Sequence, residues 1–127
     1  MKSEFDPVFA ALRTILKKQG RSLSVADDTP TRYCLEAPIG PATLQAWGGK
    51  AKRPTIPIAW AEIGKSYVSF HLMALGAAPD VMSTPLKARL QGKTCFNFSK
   101  VDPALFEELE TLTVKSIAAF RKAGYCA

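Results

Sequence analysis

Histidine is almost missing from this chain: among 127 residues there is one, His71. A structural zinc site draws on four nitrogen or sulfur ligands, so a histidine-rich metal centre is excluded. The cysteines are Cys34, Cys95 and Cys126. An odd count without a CxxC pair excludes a disulfide framework and a zinc knuckle, and leaves reduced thiols in a reducing compartment. No run approaches the roughly 20 apolar residues that span a bilayer. The start, MKSEFDPVFAAL, carries Glu4 and Asp6 ahead of a short apolar stretch. That is not a secretory signal, and the expected location is the cytoplasm. Internal repeats and low-complexity tracts are absent as well. Basic residues are not interleaved with aromatics as in RNA-binding sheets, and no helix-turn-helix pattern occurs, so nucleic acid is disfavoured as a partner.

What is present describes a folded domain. The chain is 47% hydrophobic and 22% charged, and its length fits a single domain over residues 1–127. A domain of this size buries about two-thirds of its unfolded surface and needs no staple. The formal charge is +6. Its basic residues are scattered, with small clusters at Lys17, Lys18, Arg21 and at Lys50, Lys52, Arg53. A positive surface attracts anions.

Three helices are marked at their ends. Asp6-Pro7 predicts the first, with Phe5, Val8, Phe9, Leu12, Ile15 and Leu16 on one face and Gly20 as its stop. Thr84-Pro85 opens a short second helix that carries Lys87 and Arg89 and closes at Gly92. Asp102-Pro103 opens a third, running to about Lys122, with Leu105, Phe106, Leu109, Leu112, Ile117 and Phe120 as its apolar stripe and Gly124 as its cap.

Between the first helix and Leu75 the period changes to two. Arg32–Glu36, Ala42–Trp47, Thr55–Ile63 and Lys65–Met73 read as strands. Ile63-Gly64-Lys65-Ser66 predicts a tight hairpin that makes the last two antiparallel neighbours. IPIAWAEI is apolar at nearly every position, as in a central strand covered on both faces, with Trp60 in the core. Pro54 and Pro57 restrict its start to an edge or a bulge. The order of elements predicts an α+β fold: an antiparallel sheet with the N- and C-terminal helices packed on one face.

Chemistry gathers in YVSFHLM and TCFNF. By alternation Val68, Phe70, Leu72, Phe96 and Phe98 point to the core. Tyr67, Ser69, His71, Met73, Cys95 and Asn97 point away from it. The short helix at Pro85 to Leu90 would roof part of that second face, which could then floor a small-ligand pocket. A face that is simply polar and wet is the competing reading. A Cys95–His71 nucleophile pair would need a thiolate held by the imidazole and a third group, nominally Asn97, to orient the ring. Cys95 lies inside a strand, however, and gains nothing from a helix dipole. Glu107, Glu108 and Glu110 could line an oxygen-rich metal site, but carboxylates are favoured in a first helical turn anyway. Gly92-Lys93-Thr94 resembles the end of a phosphate-binding loop, without the upstream glycine or the following helix. Lys87, Arg89 and Lys93 could still attract an anion.

The segments VSFHLMAL, TPLKARLQGKTCFNF and DPALFEEL, closed by Arg121-Lys122, resemble the YdhG-like family of bacterial proteins of unknown function. The resemblance runs from Lys65 to Gly124. There a V-x-F strand leads through a short helix to a GK-x-x-x-x-F strand and a C-terminal helix. It implies an α+β sandwich similar to that of frataxin, and some relatives are described as iron-binding chaperones. The first helix, however, continues with Arg13, Lys17 and Lys18, and the net charge of +6 opposes cation loading. No cofactor is therefore expected. The expected function is non-catalytic binding of a small molecule or anion through Tyr67, Ser69, His71, Lys93, Cys95 and Asn97. An iron carrier and a protein-interaction module are the alternatives. The sequence leaves the oligomeric state open.

Overall fold

The computed structural model describes residues 2–19, 23–73, 82–91 and 94–126. Gly20, Gly92 and Lys93, to which the sequence assigns two helix stops and an anion contact, lie outside them. In chain order the elements are α1 (Lys2–Lys18), β1 (Ser24–Asp28), β2 (Arg32–Pro38), α2 (Pro41–Ala46), β3 (Thr55–Ile63), β4 (Val68–Leu72), α3 (Thr84–Lys87), β5 (Leu90–Gln91), β6 (Cys95–Phe98) and α4 (Pro103–Lys122). Six strands form one sheet in the order β1-β2-β3-β4-β6-β5. Every neighbouring pair is antiparallel. The fold is α+β, as expected, with α1 and α4 sharing one apolar core with the sheet.

Alternation places the core. Tyr33, Leu35, Ala59, Ala61, Val68, Phe70, Leu72, Phe96 and Phe98 bury on the face where Val8, Phe9, Leu12, Ile15 and Leu16 of α1 meet Leu105, Phe106, Leu109, Leu112, Ile117 and Phe120 of α4. Phe98 and Phe106 meet edge to face, with ring centroids 4.9 Å apart, the arrangement the ring quadrupoles prefer. The end of β6 is thereby fixed against the first turn of α4. That turn is capped by Asp102, whose carboxylate accepts the Leu105 amide at 3.2 Å. Gly124, at φ +86°, follows α4 in the left-handed region that suits glycine.

Several expectations change. α1 begins at Lys2, so Pro7 lies inside it rather than at its first position. Phe5 packs against the core, and that burial favours the extra turn ahead of the proline. The expected strand Ala42–Trp47 is the helix α2. Pro41 stands at its start with φ already set for a helix, and Gly48 and Gly49 follow at φ +75° and +86°. The alternation of Ala, Leu and Ala across six residues is too short to separate the two periods. β3 spans Thr55–Ile63 as expected and is central, not an edge; Pro57 falls where the β2–β3 register shifts, beside the extra residue Ile58. A bulge relieves the missing N–H. β3 is not covered on both faces: Trp60 is half-buried and faces away from the core.

α3 does not roof the polar face. Its Leu86 is fully buried in the core, and it packs against α4. The Ser83 amide and hydroxyl both donate to the Glu108 carboxylate, at 2.7 and 2.5 Å. The edge strand β1 has no counterpart in the sequence reading. Its SVADD lacks apolar alternation and its residues are mostly exposed.

The C-terminal segment crosses the chain between β2 and α2 at close range. Gly40 N–H donates to the Tyr125 carbonyl at 3.0 Å and Ala42 N–H to the Gly124 carbonyl at 2.8 Å. The Thr43 hydroxyl also donates to Tyr125 O, at 2.6 Å. A Cβ on Gly40 would stand 2.2 Å from the Gly124 carbonyl oxygen. Only glycine allows this approach.

Among the described residues, no helix is long and apolar enough to cross a membrane.

Candidate functional site

The second face of the sheet carries a continuous row of side chains. Register sets Asp27 of β1 beside Cys34, Cys34 beside Trp60, Trp60 beside His71, His71 beside Cys95, and Cys95 beside Gln91 of β5. A parallel row runs Arg32, Glu62, Ser69, Asn97. Both rows lie opposite α1 and α4. Most of their side chains are half-exposed; Cys34, at 1%, is the buried exception.

Side-chain contacts join the two rows. The Trp60 and His71 rings stack with centroids 4.6 Å apart and 15° between their planes. The Arg32 guanidinium carbon stands 5.6 Å from the Trp60 ring centroid, within range of a cation–π contact. Arg32 is held there by two carboxylates, with Nε donating to Asp27 at 2.9 Å and Nη1 to Glu62 at 3.2 Å. Beyond the imidazole, Nε2 of His71 and Sγ of Cys95 are 3.5 Å apart, and Sγ is also 3.5 Å from Oδ1 of Asn97. One S–H can serve only one of these acceptors at a time, so the choice of imidazole tautomer and thiol rotor is shared across the three groups. Ser69 donates to the Glu62 carbonyl at 3.4 Å.

The electrostatics follow from partial burial. Burial lowers the His71 pKa from its ordinary 6.5, Glu62 opposes that shift, and Arg32 adds to it. Burial alone pushes the Cys95 thiol up. Removing either group from water disfavours its charged form. At neutral pH the pair is therefore a thiol beside a neutral imidazole. An activated nucleophile needs the reverse, a thiolate beside an imidazolium. What this pair offers is hydrogen-bonding capacity next to an aromatic stack.

The structure brings together three of the sequence-predicted residues, His71, Cys95 and Asn97, in direct contact. It places Ser69 opposite Asn97 in the register. Tyr67 stands in the β3–β4 turn, 43% exposed, where its carbonyl accepts the Gly64 amide. Lys93 lies outside the described residues. Trp60 and Arg32 are the partners the sequence reading did not supply. The hairpin held the missing signal, since a turn over 64–67 pairs Ile63 with Val68 and hence Trp60 with His71.

Glu108 and Glu110, read as oxygen ligands, are engaged elsewhere: Glu108 with Ser83, and Glu110 with Lys18 at 3.3 Å. Among the described residues no three His, Cys, Asp or Glu side chains gather as a metal site. The chain matches no family model, no curated protein and no solved structure.

Proposed function

We propose that the protein is a non-catalytic small-ligand-binding domain of the cytoplasm, and that its ligand is a small, planar, uncharged heteroaromatic lying along the Trp60–His71–Cys95–Asn97 ladder. The observation that carries the reading is the Trp60–His71 stack on the face opposite the helices. Half-exposed aromatic surface that a ligand covers is removed from water at about 25 cal/mol per Å². Asn97, Ser69 and the imidazole supply the few polar groups that orient a ligand over such a surface. The charges of the face favour an uncharged ligand. Arg32 offsets one of the two charges of Asp27 and Glu62, Arg53 pairs with Glu36 at 3.0 Å, and His71 is neutral, so these groups carry no positive excess that would draw an anion. The same balance disfavours a phosphodiester backbone, which needs excess positive charge. The three free cysteines suit a reducing compartment. Membership of the YdhG-like family and a frataxin-like sandwich belong to this proposal. They are supported by the order of helix, strands, short helix, strand and helix.

The test uses a Trp47→Phe background, in which Trp60 alone reports by fluorescence. Titration with adenine and with nicotinamide should give saturable quenching with a Kd below about 1 mM for at least one of them. His71→Ala should weaken that Kd by about five-fold, the share of one aromatic contact. No saturable change up to about 10 mM, or an unchanged Kd in His71→Ala, would overturn the reading.

A further inference from the structure

A recess lies where β6 turns into α4. It has a volume of about 310 Å³ and is lined by residues 98–102 together with Arg89 and Leu105. Its lining residues are of two kinds, apolar and charged or polar. Phe98 and Leu105 are nearly buried and present the edge of the core, and Val101 adds to this apolar lining while 46% exposed. The polar lining residues are Arg89, Ser99, Lys100 and Asp102.

The charge of this recess is not balanced from within. Among the described residues neither Arg89 nor Lys100 pairs with a carboxylate, whereas Arg13, Lys18, Arg32 and Arg53 all do. Among the described residues the one acidic lining residue, Asp102, already accepts the Leu105 amide as the α4 cap. That carboxylate also occupies the helix N-terminus, so the recess depends on its two side-chain cations. Backbone hydrogen bonding fixes the position of Arg89: its carbonyl accepts the Asn97 amide at 2.9 Å, beside the β5–β6 pair. The main chain at Arg89 is thus held on the sheet edge with its side chain exposed, and Lys100 sits two residues ahead of the Asp102 cap.

We infer that this recess binds a compact organic oxyanion, a phosphate or carboxylate head on a short apolar body. The head would lie between Arg89 and Lys100 with the Ser99 hydroxyl as a further donor, and the body against Phe98, Val101 and Leu105. Charge-assisted bonds from a guanidinium and an ammonium are the strong contacts available to such a head. A volume of about 310 Å³ is at the lower end of ligand sites and admits a single ring rather than a nucleotide. The recess shares no residue with the His71 ladder. Its test can fail without touching the heteroaromatic proposal, and the converse holds.

The experiment follows backbone amide NMR shifts of residues 98–105 in the full chain during titration with phenyl phosphate, benzoate, inorganic phosphate and benzyl alcohol. Phenyl phosphate or benzoate should saturate below about 1 mM in low salt. Inorganic phosphate and benzyl alcohol should each bind at least about ten-fold more weakly, because each lacks one half of the recognised group. Which of the first two binds more tightly identifies the head. Arg89→Gln and Lys100→Gln should each weaken binding about ten-fold, with amide spectra otherwise unchanged. Val101→Ser should weaken phenyl phosphate and leave inorganic phosphate as it was. Saturation of neither aromatic anion below about 10 mM, or binding unaltered in the Arg89→Gln, Lys100→Gln double variant, would overturn the inference. So would equal binding of inorganic phosphate and phenyl phosphate.

Discussion

Phe70 and His71 are adjacent in β4, yet their side chains live in different solvents. Phe70 is fully buried against Phe96, Ala61 and the helices, whereas His71 is half-exposed between Trp60 and Cys95. The core face is held by shape and area alone. The other face is held by a chain of specific contacts: two carboxylates on Arg32, a guanidinium over an indole, an indole on an imidazole, an imidazole on a thiol. Replacing a group on the core face leaves a cavity that its neighbours cannot fill. Replacing a group on the other face admits water, which supplies much of what was lost. The difference separates the part of the sheet that makes the fold from the part that is free to be used.

Three measurements sharpen or break that contrast. The largest effect belongs to Phe70→Ala, which should lower the unfolding free energy in urea by about 3–5 kcal/mol. Trp60→Ala on the open face should cost about 1–2 kcal/mol, the sum of one aromatic stack and one exposed cation–π contact. If it costs as much as Phe70→Ala, the second face is another core and the contrast fails.

The smallest effect is a dependence on pH. In the folded chain the His71 pKa lies below its unfolded value of about 6.5. Between the two values the unfolded chain binds more protons, so stability rises with pH through that window. His71 therefore contributes stability above pH about 6.5 that is lost as the pH falls toward the folded value. The urea midpoint of the wild-type chain should fall more between pH 7.5 and pH 5.5 (values on either side of roughly 6.5) than that of His71→Gln. An equal fall in both would place His71 fully in water.

Much of this architecture was legible in the sequence. Asp102-Pro103 and Gly124 bound α4 because caps are local, requiring only a carboxylate, a preset φ and a residue without a Cβ. Parity alone divided Val68, Phe70, Leu72, Phe96 and Phe98 from Ser69, His71, Cys95 and Asn97, because a strand leaves no other freedom. What parity does not carry is the side from which a neighbouring element arrives. Trp60 needed the β3–β4 register, and α3 needed knowledge of which face Leu86 would seek. α2 failed for a different reason, since six residues hold too little pattern to separate a period of two from one of 3.6. β1 was hidden because an edge strand can be polar, and its paired aspartates guard it against further pairing.

The close passage of Gly40 against Gly124 also bears on the order of assembly. Ile39 and Cys126 form a bridge, although most of the chain lies between them. Contacts of such separation require a large loop closure before they return any stability. β1 with β2 and β3 with β4 pair across short turns, whereas the contacts of Gly40, Ala42 and Thr43 require the residues after α4. The segment after α4 therefore acts as a clasp on the stretch of chain that leads into α2.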